Sequence, residues 1–207
     1  MVRILLVDDH AVVRRGIRAI LEDQLHGATV AEAGSGDEAL TALAQPFDAV
    51  VLDLSMPGRS GIDLLTEIKH RWSKLPVLIM SLHPEEHFAV RALRAGASGY
   101  LTKAAAPEAL IDAVQKVTRG GKYISQAVAE RMAADLGGRA PVPHERLSDR
   151  EFEVMRGIAE GVSVSEIAAR MHLSVKTVST YRTRLLDKMN MTTNAELTRY
   201  AIQNGLV

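Results

Sequence analysis

The 207-residue chain contains no cysteine, which excludes disulfides and thiolate-bound metals and suits a reducing compartment. It has no excess of either charge, since 25 Lys and Arg balance 25 Asp and Glu. No global basic field therefore marks it as a binder of nucleic acid or membrane, and any such partner must be met by a local patch. A long apolar run is missing at the start as well. Met1-Val2-Arg3-Ile4-Leu5-Leu6-Val7-Asp8 is charged too soon for a signal peptide or a membrane span and reads as a strand. The expectation is a soluble cytoplasmic protein with no membrane partner, long enough for one large domain or two small ones.

Between Arg3 and Arg119, short apolar runs alternate with helical patterns. Strands are predicted at Arg3–Val7, Thr29–Ala33, Ala49–Leu52, Pro76–Met80 and Ser98–Leu101. Helices are predicted at Val12–Asp23, Gly36–Ala44, Gly61–Arg71, Glu85–Ala95 and Pro107–Arg119. Such alternation with short turns indicates an α/β fold, a doubly wound parallel sheet of five strands. The runs "ILLV", "AVVL" and "PVLIM" do not alternate in polarity, as suits strands covered on both faces. After Gly120-Gly121 a short helix pattern, Gln126–Leu136, leads into the Gly/Pro-rich "GGRAPVPHER". Beyond Leu147 only helix patterns follow. The predicted organisation is an α/β domain over 1–120, a linker with a short helix over 121–146, and a small all-α domain over 147–207.

The stretch "DAVVLDLSMPGRSG" sets a carboxylate, Asp53, at the end of an apolar strand. Burying an unpaired carboxylate is costly, so it is either a loop Asp capping the next helix or a group held for chemistry. Other strand ends bear on the choice. Asp8 and Asp9 end the first strand, Ser81 the fourth, and Lys103 follows the fifth. In an open parallel sheet, sites lie outside the carboxyl ends of the strands, so these residues are predicted to meet at one edge. Converging carboxylates repel unless a cation joins them, and oxygen ligands without Cys or His suit Mg²⁺. A carboxylate there can act as nucleophile toward a phosphoryl group, with Lys103 and the Ser81 hydroxyl compensating the transferred charge.

The acidic pair in "LLVDDH", together with "VVLDLSMPGRSG", "LIMSLH" and "GASGYLTK", resembles the receiver domain of bacterial response regulators. That resemblance implies that Asp53 accepts phosphate from a sensor histidine kinase. It implies that Asp8 and Asp9 hold Mg²⁺ with Asp53 and the backbone carbonyl of Ser55, and that Ser81 and Tyr100 rearrange together on phosphorylation. One departure is visible: Ala104, not proline, follows Lys103, which bears on the loop geometry there. His83 stands where it could influence attack of water on an aspartyl phosphate, or is a plain loop residue.

The C-terminal stretch "SVSEIAARMHLSVKTVSTYRTRLLDKM" reads as two helices about a tight turn, with Ser174 an N-cap for the second. On a 3.6-residue period Val178, Tyr181, Leu185 and Met189 share one face. The other face gathers Lys176, Ser179, Thr180 and Thr183, with Arg184 at its edge. Arg182, Arg184 and Lys188 are suited to phosphates, and the small polar face to base edges in a major groove. The segment, with "LSDRE" and "LLDKM", resembles the LuxR-type helix-turn-helix domain. Joined to a receiver, it is similar to the NarL/FixJ class. In that class the last helix, here about 194–204, makes the dimer contact on DNA, with Leu197, Tyr200 and Ala201 as candidates for that contact or for a core. The reading that follows is a phosphorylation-dependent transcription regulator, not an enzyme. It forms a homodimer on activation and reads double-stranded DNA. Two alternatives stand beside it. A small-molecule phosphatase would need a second acid two residues after Asp53, where Ser55 stands. A DNA-binding regulator with a phosphorylation-independent docking module would keep the second domain alone at work.

Overall fold

The computed structural model describes residues 2–56, 61–82, 85–136 and 142–207. Among them the chain forms two compact units, Met1–Gly137 and Gly138–Val207. The first alternates β1 (Val2–Val7), α1 (Ala11–Gln24), β2 (Ala28–Ala33), α2 (Gly36–Ala42), β3 (Ala49–Asp53), α3 (Gly61–Arg71), β4 (Val77–Ser81), α4 (Glu85–Arg94), β5 (Gly99–Thr102) and α5 (Pro107–Thr118). All strand pairs are parallel, in the order β2-β1-β3-β4-β5. The doubly wound α/β expectation holds, with strand ends shifted by a residue or two.

Every residue of β3 and β4 is buried, as their unbroken apolar runs require. Ile4, Leu6, Val51, Leu78, Met80 and Leu101 pack on Ile17, Leu21 and Leu25 of α1 and its C-terminus, and on Leu110, Val114 and Val117 of α5. Their alternates Leu5, Val7, Val50, Leu52, Val77 and Ile79 are equally buried and point to the opposite face. Full burial of such side chains stabilises by about 1.5–3 kcal/mol each. Helix starts follow local chemistry: Ser35 caps α2 by accepting from the Glu38 N–H, and Pro107 opens α5.

The segment 121–146, read from composition as a linker with a short helix, divides between the units. Its α6 (Gln126–Leu136) packs on α4 in the first. Ahead of α6, Tyr123 pairs with the outer edge of β5. Its N–H donates to the Ser98 carbonyl (2.9 Å), and its own carbonyl accepts from the Tyr100 N–H (3.2 Å). A Cβ on Gly99 would lie 2.7 Å from the Tyr123 carbonyl oxygen, so only glycine permits this close approach.

The second unit holds a 3-10 turn (Pro143–Arg146), α7 (Asp149–Ala159), α8 (Val164–Arg170), α9 (Val175–Met189) and α10 (Asn194–Gln203). Reciprocal capping boxes open α7 (Ser148/Glu151), α8 (Ser163/Glu166) and α10 (Thr193/Glu196). Ser174 caps α9, which ends at Asn190 in the left-handed region, φ 54°. His144 of the 3-10 turn is buried, its Nδ1 2.9 Å from the Tyr200 hydroxyl and its ring beside Phe152.

Candidate functional site

The switch point of the sheet lies between β1 and β3, because β2 is added on one side of that pair and β4 and β5 on the other. The strands bring Asp8, Asp53, Ser81 and Lys103 to that one edge. Lys103 Nζ lies 2.7 Å from Asp53 Oδ2 and 2.7 Å from Asp8 Oδ2. All three side chains are out of solvent, 6% exposed for the lysine and 1% for each carboxylate. The remaining Asp53 oxygen accepts the Ser55 N–H at 2.9 Å, and Asp8 Oδ1 accepts the His10 N–H at 2.7 Å. Lys103 is anchored through its own N–H to the Ser81 carbonyl (2.8 Å). The described backbone contains no cis peptide, at the Lys103–Ala104 bond or elsewhere.

Burial pushes the Asp53 carboxyl above the usual carboxylate range. Bonds from Lys103 and the Ser55 N–H pull it back only in part, because the ammonium is divided between two carboxylates. Burial also opposes the Lys103 charge, but its hydrogen bonds to Asp53 and Asp8 outweigh that and hold its pKa above the ordinary lysine value. One lysine thus leaves two buried carboxylates short of positive charge. Beside them Asp9 adds a third acid, and one ligand atom from each of Asp8, Asp9, His10 and Asp53 falls within 4.8 Å of the others. The Ser55 hydroxyl oxygen is buried with no hydrogen-bond partner among the described residues. A set of carboxylate and hydroxyl oxygens short of positive charge fits a hard divalent cation.

A second cluster lies on α9. Val178, Leu185, Leu186 and Met189 are buried, while Lys176, Ser179, Thr180, Thr183 and Arg184 are exposed. The sequence-derived division of the helix into an inner and an outer face therefore stands, save that Tyr181 is only half-buried.

Residues 4–115 match the response regulator receiver domain family, and residues 145–201 match the luxR family of bacterial regulatory proteins. The response regulator UvrY of Escherichia coli O6:H1 is 38% identical over 209 residues, covering 100% of this chain and 96% of that protein. This chain belongs to the response regulators. It joins a receiver to a LuxR-type helix-turn-helix, the combination of the NarL/FixJ class. Other relatives of this response regulator share its full length. The transcriptional activator protein ExaE of Pseudomonas putida is 40% identical, with 99% of this chain and 97% of that one covered. Among solved structures, RcsB of Salmonella enterica serovar Typhimurium, bound to a promoter in the presence of phosphomimetic BeF3-, superposes with a TM-score of 0.63. It is 27% identical and covers 97% of this chain and 98% of its own.

Several side chains of the response regulator named from the sequence have partners or packing within the second unit. Arg182, expected to be a phosphate contact, donates from Nε to Asn194 Oδ1 (2.7 Å). Lys188, also expected on phosphate, lies 2.6 Å from Glu151, a buried carboxylate. Leu197 and Ala201 are both 0% exposed on the α10 side that packs on α7. They belong to the core and have no surface to give a second copy. Tyr200 is half-buried and committed to His144. The exposed face of α10 is instead made by Ala195, Arg199 and Ile202. His83 lies outside the described residues.

Sequence reasoning missed His10, which sits in the acidic cluster 2.9 Å from Asp9; its place directly after the acidic pair was the available signal. It also missed Arg14, whose Nη1 donates to the Asp8 carbonyl (2.6 Å) while Nε bonds Glu32 (2.8 Å). No motif announces that bond.

The Glu151–Lys188 pair carries a pH prediction. Burial raises the Glu151 pKa, but Lys188 and the Ser148 N–H and hydroxyl outweigh it and hold the carboxyl below the usual range. Stability from this group is present above the ordinary glutamate range and lost as the pH falls through its lowered value. Amide exchange in α7 and α9 is expected to accelerate on acidification through that window, with the acid-dependent step missing in Glu151→Gln. Lys188 is 43% exposed, so water screens the pair and the expected loss at neutral pH is about 1 kcal/mol.

Proposed function

We propose that Asp53 accepts a phosphoryl group from the histidine of a sensor kinase, and that the phosphorylated chain dimerises and reads double-stranded DNA through α9. The observation that carries this reading is the buried Lys103 ammonium shared by Asp53 and Asp8, 2.7 Å from each, at the sheet's switch point. A carboxylate oxygen of Asp53 forms the new bond to phosphorus as the bond to the leaving histidine nitrogen breaks. Lys103, already within reach of Asp53, turns to an oxygen of the transferred group and balances its added charge. Asp8, Asp9, Asp53 and the Ser55 carbonyl would hold Mg²⁺. When bound, the ion would supply the positive charge that one lysine cannot.

Ser81 follows the transferred group and Tyr100 moves with it. The Tyr100 N–H is bonded to the Tyr123 carbonyl, so a shift in β5 is felt by the segment that leads into α6. Dimers of the phosphorylated chain then meet two half-sites about one helical turn apart.

Intact mass after incubation with Mg²⁺ and a small acyl phosphate tests the reading. A phosphoryl adduct is expected on the wild type and not on Asp53→Asn. The variant relieves a buried carboxylate whose pKa burial has raised, so it is expected to stay folded. An equal adduct on both proteins would place the acceptor elsewhere. No adduct on either, with Mg²⁺ binding confirmed, would favour a receiver that acts by docking alone.

A further inference from the structure

On the exposed face of α9 each hydroxyl hydrogen is already used. Ser179 Oγ donates to the Val175 carbonyl (2.9 Å), Thr180 Oγ1 to Lys176 (3.0 Å) and Thr183 Oγ1 to Ser179 (3.1 Å). A hydroxyl has one hydrogen and two lone pairs, so a back-bonded Ser or Thr has only acceptor capacity left to offer outward. Thr180 and Thr183 add a methyl each. The donors on this face are Lys176 and Arg184, exposed and without an ion pair among the described residues. The surface is therefore acceptor and methyl along its centre and cationic at two positions.

Base edges in the major groove divide along the same line. Adenine N6 and cytosine N4 are donors, thymine presents a methyl, and guanine presents only acceptors, O6 and N7. We propose that Ser179, Thr180 and Thr183 read adenine and cytosine amino groups and thymine methyls and discriminate against guanine edges, leaving guanine to Lys176 and Arg184. The inference rests on the DNA reading above and adds which base chemistry that helix selects. For a guanine to be accepted at the centre, a hydroxyl must first give up its bond to the helix carbonyl.

The test is selection from random duplexes by the full chain treated with acyl phosphate and Mg²⁺, followed by titration of the selected duplex. Thr180→Val and Thr183→Val keep shape and remove the acceptor; Thr180→Ser keeps the acceptor and removes the methyl. Helix content and melting of each variant confirm the fold. The expected half-site has A·T pairs, or cytosine facing the helix, at its centre. Each valine variant is expected to bind it about tenfold more weakly, with binding to random duplex unchanged, as loss of one good base contact implies. Deoxyuridine in place of the contacted thymine should weaken the wild type but not Thr180→Ser. Valine variants equal to the wild type, or a central guanine whose preference is lost in Thr180→Val, would overturn the inference while leaving DNA binding intact. No enriched sequence at all would overturn the DNA reading and this inference with it.

Discussion

Replacing Lys103 by methionine is expected to destabilise the first unit by about 3–5 kcal/mol at neutral pH, the usual cost of leaving a buried charge without its partner. Methionine fills much of the same volume, so the loss comes from charge and not from a cavity. Asp8 and Asp53, each 1% exposed, would face one another with no ammonium between them. The Asp53 carboxyl, already raised by burial, would lose the lysine that pulls it back and titrate higher still in the folded chain. The penalty from it is therefore full well above that raised value. It shrinks as the pH falls through it and vanishes below the ordinary carboxylate range, where both states are protonated. Urea unfolding followed through Trp72, the single tryptophan of the chain and a residue of the first unit, reads this directly. Added Mg²⁺ should restore part of the loss by binding the folded state. A variant as stable as the wild type at pH 7 would mean that water already screens the two carboxylates. A cation site among them would then have no electrostatic ground.

Much of this site was legible because a parallel sheet has a direction. Once five apolar runs alternate with helices, the residue after each run lies at one edge whatever the strand order. Asp8, Asp53, Ser81 and Lys103 could thus be grouped from sequence alone, though they span 8 to 103. Pairs that depend on side-chain reach were not legible. Lys188 and Glu151 are 37 residues apart, and helical periodicity says only that each lies on a helix. The bridge of Tyr123 to β5 is a single residue pair, too short to leave a period. In α10 the spacing of Leu197, Tyr200 and Ala201 marks an apolar face correctly. It cannot say whether that face meets α7 or a second copy, since both bury the same surface. His144 lay hidden in a Gly/Pro-rich stretch, where composition speaks of turns and not of the one ring that is buried.

Gly61→Ala is expected to cost about 3 kcal/mol, at the upper end of overpacking by one methyl, although alanine is the better helix former by about 1 kcal/mol. The added Cβ would lie 2.4 Å from Leu54 Cα and 2.8 Å from the Leu54 carbonyl oxygen. These are backbone atoms that cannot rotate away. Either α3 must withdraw from the end of β3 or Leu54 must yield, and Leu54 is bonded to Asp53. A displacement of a reacting carboxylate by about 1 Å is enough to slow a reaction a hundredfold. Adduct formation with acyl phosphate should therefore fall about that far even at temperatures where the variant remains folded. Gly16→Ala is the matched control. Gly16 is an exposed position of α1 whose Cβ would meet nothing within 4 Å, so alanine there should stabilise by up to about 1 kcal/mol and leave the adduct rate unchanged. If both alanines behaved alike, the close contact between α3 and the end of β3 would not be what holds Asp53 in place. Separate behaviour would tie the position of the Asp53 carboxylate to a glycine eight residues further along the chain.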